Sequence, residues 1–149
     1  CKVFSTPTDN YVKEMFNDTI FLITKENTLI PRWVVDAGKY KLEEGGRYRL
    51  QDPRNNLFKE KNAAQINVVG NSKDKLYLTA NLNGNSYLIS YDDKEGKVES
   101  VKLPYPGHDF DFKEGNTFVP RFTSEDGRYL IGYEVQENDE NPVIILAER

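Results

Sequence analysis

One loop of this chain carries most of the side chains that could do acid–base or metal chemistry. Pro104-Tyr105-Pro106-Gly107-His108-Asp109-Phe110-Asp111 holds the only histidine, flanked by acids. Imidazole titrates near neutrality, so His108 with Asp109 and Asp111 offers a proton-transfer pair or part of a metal site. Asp109, Asp111 and Glu114 are near one another in sequence, but a glycosidase pair is defined by a separation in space that sequence does not show. The chain has 24 acids, however, and neither a second His nor a Cys stands near the loop. The plainer reading is a solvated loop whose histidine is incidental.

A quieter constellation is the pair Pro31-Arg32-Trp33 and Pro120-Arg121-Phe122. Arg beside an aromatic combines a fork of donors with a stacking face, which suits a carboxylate or a sugar. The same chemistry serves equally as a structural cation–π contact or an ion pair between sheets, and that reading weighs more. Arg32, Trp33, His108, Asp109, Asp111 and Arg121 are therefore the candidate ligand-binding residues. No Gly-x-Ser-x-Gly elbow, phosphate loop or dinucleotide fingerprint occurs. Asp92-Asp93-Lys94-Glu95 lacks the alternation of a calcium loop and reads as a hairpin turn. No residue is assigned as catalytic, no metal site is expected, and no cofactor is implied.

The bulk numbers narrow the class. With 149 residues, 38% hydrophobic and 30% charged, the chain fits one polar globular domain with a real core. Nine Tyr and eight Phe lean towards pleated, half-buried surfaces. A net charge of −4, with no Lys/Arg run longer than two, argues against nucleic acid. No apolar run approaches the roughly 20 residues of a membrane helix. The single cysteine, Cys1, excludes an intramolecular disulfide. A Cys at that position also fits an exported bacterial lipoprotein, although Lys2 to Thr6 alternates like a strand where a flexible tether is usual.

The elements that would position these residues are strands. Alternation and turn clusters predict strands at Lys2–Thr6, Tyr11–Phe16, Thr19–Thr24 and Leu29–Ala37, with Pro31 at an edge. Residues 41–64 interrupt the pattern and predict a surface insertion, with Asp52-Pro53 starting a short helix over 54–64. Strands resume at Gln65–Gly70, Lys75–Leu82, Ser86–Tyr91 and Lys97–Leu103, the middle pair joined by the hairpin signal Asn83-Gly84. After the irregular segment 104–116 come Thr117–Thr123, Arg128–Val135 and Val143–Ala147.

A turn-and-strand unit recurs without gaps. Asp18-Thr19-Ile20-Phe21-Leu22-Ile23, Asp74-Lys75-Leu76-Tyr77-Leu78-Thr79 and Asp126-Gly127-Arg128-Tyr129-Leu130-Ile131 each place an aromatic three residues after Asp, then Leu. Antiparallel meanders repeated at about this interval are the signature of β-propeller blades, with an ordinary β-sandwich as the alternative. The units fall at roughly residues 11–40, 65–103 and 117–149, within a single partial propeller over 1–149.

The run Asn17 to Ile23, then Pro31-Arg32-Trp33-Val34-Val35-Asp36-Ala37-Gly38-Lys39-Tyr40, resembles a six-bladed β-propeller family common in gut-dwelling Gram-negative bacteria. The closing Glu140-Asn141-Pro142-Val143-Ile144-Ile145 and Leu146-Ala147-Glu148 is similar to that family's C-terminal end. The resemblance implies half of a six-bladed propeller, export to the periplasm or cell surface, and often a lipid anchor on an upstream or N-terminal Cys. It carries no established activity and no catalytic motif. Three blades are too few to close a ring, so either further N-terminal blades or a homodimer would complete it. The expected function is a non-catalytic extracytoplasmic binding or scaffold module for a protein, peptide or glycan. The alternative is a propeller hydrolase or lyase using the loop 104–116.

Overall fold

The computed structural model describes residues 1–43, 45–46, 62–72, 74–103, 120–134 and 143–148. Within them the chain forms eleven strands: β1 Lys2–Ser5, β2 Asn10–Lys13, β3 Thr19–Ile23, β4 Leu29–Val34, β5 Gln65–Ser72, β6 Lys75–Leu82, β7 Asn85–Asp92, β8 Lys97–Leu103, β9 Phe122–Thr123, β10 Tyr129–Glu134 and β11 Val143–Glu148. They pair as three antiparallel meanders: sheet 1 is β1-β2-β3-β4, sheet 2 is β5-β6-β7-β8, and sheet 3 is β9-β10-β11. The all-β, repeated-sheet expectation is met. No closed propeller forms among the described residues.

Local chemistry explains most of the strand ends. Asn83 and Gly84 both take positive φ, 50° and 75°, in the two-residue loop between β6 and β7, as a primed hairpin turn requires. Pro31 lies on β4, the edge strand of sheet 1, beside a register shift. The strand predicted from Leu29 to Ala37 stops at Val34, because the Asp36 carboxylate accepts the Gly38 N–H at 2.8 Å and opens a 3-10 turn, Gly38–Tyr40. The helix expected over 54–64 lies outside the described residues as far as 61; Asn62, in a turn, takes a φ of 70°.

The repeated Asp unit proves to mark a hairpin rather than a position within a sheet. Asp74 and Asp126 precede β6 and β10, each the second strand of its sheet, but Asp18 precedes β3, the third. Sheet 1 accordingly begins at Lys2, before the unit predicted from residue 11. The local likeness is real: the Asp18 carbonyl accepts Val35 N–H at 2.9 Å and the Asp74 carbonyl accepts Asp93 N–H at 2.7 Å, each clamping the far end of its hairpin. Each Asp carboxylate also meets a cation, Lys41 at 2.7 Å, Lys94 at 2.6 Å and Arg128 at 2.6 Å. Asp126, which further accepts Ser124 Oγ and Arg128 N–H, is pulled down to about 2 by those hydrogen bonds.

Sheets 1 and 2 face each other across the main core. Alternation turns Phe4, Tyr11, Ile20 and Leu22 of sheet 1 towards Val68, Leu76 and Leu78 of sheet 2. Ile20 is fully buried, a side chain worth about 1.5–3 kcal/mol in that setting. Phe4 stacks on Tyr11 with ring centroids 5.2 Å apart, and Tyr11 meets Trp33 at 5.1 Å.

Two lysines on that same face reach sheet 2 in a different way. Lys2 and Lys13 are register partners across β1 and β2. Lys13 Nζ donates to Ile66 O at 3.1 Å, and Lys2 Nζ donates to Val68 O at 2.5 Å and Val69 O at 3.1 Å. All three carbonyls belong to β5, the edge strand of sheet 2. Lys2 gives its third bond to Arg121 O, 2.9 Å away, just before β9. Its ammonium thus spends all three donors on backbone of sheets 2 and 3. Burial, then the nearby Arg121 charge, hold Lys2 below an ordinary lysine, and burial does the same to Lys13.

Sheets 2 and 3 meet backbone to side chain. A Cβ on Gly70 of β5 would lie 2.1 Å from Thr123 Oγ1 and 2.8 Å from its Cγ2, so only glycine admits β9 at this distance. Ser72 Oγ donates to Gly127 O at 2.5 Å beside it. Gly70→Ala should cost about 1–3 kcal/mol by overpacking, read as a lower urea midpoint. Thr123→Ala in the same chain removes both closest atoms and should recover part of that loss; additive effects would show that the two positions do not meet.

Candidate functional site

Away from β1 and β5 the facing sheets splay, leaving a cleft of about 600 Å³, within the roughly 300–1,000 Å³ usual for ligand pockets. Strand alternation builds both walls. On sheet 2, Leu76, Leu78 and Ala80 of β6 share a face with Tyr87, Ile89 and Tyr91 of β7. The opposite wall comes from Arg32, Trp33, Val35 and Asp36 at the end of sheet 1, with Tyr40 and Ala64 where the chain leaves and rejoins the strands. Ala64 N–H donates to Tyr40 O at 2.8 Å, which holds those two segments together.

The cleft is mainly apolar and aromatic, and two residues of its wall, Arg32 and Trp33, meet one carboxylate beside it. Asp93, in the β7–β8 turn, forms an ion pair with Arg32 across the two sheets and accepts the Trp33 indole N–H at 3.3 Å. The Arg32 guanidinium lies 4.8 Å from the Trp33 ring centroid, a cation–π contact. The Tyr11 hydroxyl nearby is raised above its usual value, chiefly by burial and next by Asp9. Arg32 and Trp33 thus share one partner, Asp93, which the sequence placed only in a hairpin turn and not among the candidate site residues.

Arg121 does not join them. It precedes β9 in sheet 3, where its guanidinium stands 6.0 Å from the Tyr133 ring. Its backbone, rather than its charge, carries its close ties: the N–H donates to Ile131 O at 2.8 Å and the carbonyl accepts Lys2 Nζ at 2.9 Å. His108, Asp109 and Asp111 lie outside the described residues. The Asp92–Gly96 segment is the hairpin turn expected, with Asp92 Oδ1 accepting the N–H groups of Lys94 and Glu95 at 3.0 Å. Among the described residues no cluster of three or more His, Cys, Asp or Glu could hold a metal ion.

No family model matches this chain, nor does any curated protein or solved structure.

The Arg32–Asp93 pair is partly solvated, its side chains 44% and 32% exposed, so it contributes little on its own. A double-mutant cycle with Arg32→Ala and Asp93→Ala should give a coupling of about 0.2–1 kcal/mol that shrinks in molar salt. A coupling above that range, unchanged by salt, would place the pair in a far drier setting than its exposure describes.

Proposed function

We propose that the three sheets are blades of a β-propeller, and that the chain is a non-catalytic module which binds a peptide segment in the sheet 1–sheet 2 cleft. The observation that carries this reading is the lining itself. A wedge of this volume, walled by Leu, Ile and Val side chains with Trp33, Tyr40, Tyr87 and Tyr91, suits a large apolar side chain. Arg32 on the wall, with its ion-pair partner Asp93 beside the cleft, offers a donor fork and an acceptor for the main chain next to that side chain. A glycan would find stacking faces here but few of the hydrogen-bonding groups that its hydroxyls need. The blade reading is supported by three antiparallel meanders whose first strands come together, β1 beside β5 and β5 beside β9.

The compartment proposed is the periplasm or cell surface, on the strength of the resemblance at residues 17–40 and 140–148. Cys1 is free and exposed, as a lipid-bearing cysteine would be. The hydrolase or lyase alternative rests on residues outside the described set, and no structural observation favours it.

Trp33 is the sole tryptophan and lines the cleft, so its emission reports occupancy directly. Titration with short peptides carrying Phe, Leu or Trp should shift that emission saturably, and Tyr87→Ala should weaken the response several-fold. Oligosaccharides that shift it where such peptides do not would replace the peptide reading. No response from any probe at millimolar concentration would remove the cleft as a site.

A further inference from the structure

One turn beside the cleft carries a side chain that can react with its own backbone. Asparagine is among the thermolabile residues. It reacts most readily where glycine follows, because the next backbone nitrogen can attack the side-chain carbonyl and no Cβ shields it. Asn83-Gly84 is the sole Asn-Gly pair of the sequence. It forms the loop between β6 and β7, and both residues are exposed. Gly84 lies outside the ladder, whose last pair is Leu82 with Asn85, so its N–H is not spent on a strand partner. A Cβ built on Gly84 would meet no atom within 4 Å, which leaves the nitrogen open to solvent and base.

The sole Asp-Gly pair, Asp126-Gly127, shows the same spacing in a protected setting. Gly127 N–H donates to Ser124 O at 2.9 Å, and a Cβ on Gly127 would lie 2.6 Å from Ser72 Oγ. Hydrogen bonds from Ser124 and Arg128 hold the Asp126 carboxyl down at about 2, and a carboxylate is a poor target for a nitrogen nucleophile. The neutral carboxamide of Asn83 is a better one. Asn62 restrains it: Asn83 Oδ1 accepts Asn62 N–H at 3.2 Å, and Asn83 Nδ2 donates to Asn62 Oδ1 at 3.4 Å.

We propose that Asn83 is a site of self-modification, in which the Gly84 nitrogen cyclises onto the Asn83 side chain at a rate restrained by Asn62, and that the product loosens one end of the cleft. Base takes the Gly84 amide proton, the nitrogen bonds to Asn83 Cγ, the Cγ–Nδ2 bond breaks, and the amide nitrogen leaves as ammonia. Water then opens the cyclic imide, with no change of oxidation state. Opening at Cγ gives aspartate. Opening at the main-chain carbonyl gives isoaspartate, whose main chain runs through Cβ and is one carbon longer. A tight hairpin fixes strand register through its loop length, so that extra carbon parts Leu82 from Asn85 and draws residue 83 away from Asn62. Leu82, Tyr87 and Ala64 are walls of the cleft, and the change cannot run backwards. The chemistry is independent of what the cleft holds, whereas its effect on binding rests on the peptide reading above.

The test is timed incubation of the full chain at neutral and mildly alkaline pH, followed by mass spectrometry of the tryptic peptide Leu76–Lys94. Asn81, Asn83 and Asn85 all lie in that peptide, so two of them serve as internal controls. Conversion at Asn83 ahead of both, faster at alkaline pH and yielding aspartate with isoaspartate, is expected. Asn62→Gly, which tolerates the positive φ there and deletes the amide, should speed it several-fold. An Asn83 that stays intact, or converts no faster than Asn81 and Asn85, overturns the proposal, and an Asn62→Gly chain no faster than the original overturns the restraint. Converted chain, separated by its added negative charge, should show faster amide exchange at Leu82 and Asn85 and a several-fold weaker Trp33 response to peptide. Converted chain that exchanges and responds like the original overturns the loosening. An original chain with no response to peptide removes the binding reading and leaves the modification standing.

Discussion

The unpaired edge of β5 is the constraint on which the rest of this structure depends. An edge strand presents backbone groups that need partners and invite unwanted ones. Here sheet 1 answers with lysines instead of a strand: Lys13 takes the carbonyl of Ile66, and Lys2 takes those of Val68 and Val69. Burying an ammonium is costly unless its donors are satisfied. Lys2 is satisfied completely, because its third bond falls on Arg121 O of the sheet 3 segment. One side chain therefore fixes the meeting point of all three sheets.

That meeting point determines where the cleft can be. The first strands are drawn together by lysine bonds on one side of β5 and by the missing Cβ of Gly70 on the other. The outer strands of sheets 1 and 2 are held more loosely, by the solvated Arg32–Asp93 pair. Tight packing at one end and solvated polar ties through Asp93 at the other produce a wedge. The aromatic side chains that line it are the outward continuation of the same faces that form the core near β1 and β5.

Much of this was legible in the sequence, and the failures have physical causes. Strand positions followed from period-2 alternation and turn residues, as at Asn83-Gly84, because those signals are local. The repeated Asp unit was also local: it specifies a turn and the hairpin after it, through its carboxylate and its carbonyl. It could not report that β1 and β2 precede that hairpin in sheet 1 while one strand precedes it in sheets 2 and 3. Arg32 and Trp33 were singled out by their chemistry, but their acceptor Asp93 lies 60 residues on from Trp33 and depends on how two sheets face each other. Lys2 and Lys13 gave no signal at all. A lysine in an alternating strand reads as solvent-facing, and only the carbonyl edge opposite explains why these two point inward.

The central claim is that the Lys2 ammonium ties the three sheets together through its carbonyl bonds, and is not merely tolerated as a half-buried charge. Equilibrium urea unfolding of Lys2→Met, which keeps the apolar stem and deletes the charge, tests it most directly. The account predicts a loss of about 1–3 kcal/mol, with faster amide exchange in β5 and β9, since the carbonyls lose their donor. A Lys2→Met chain as stable as the original, or more so, with exchange unchanged in both strands, would contradict it.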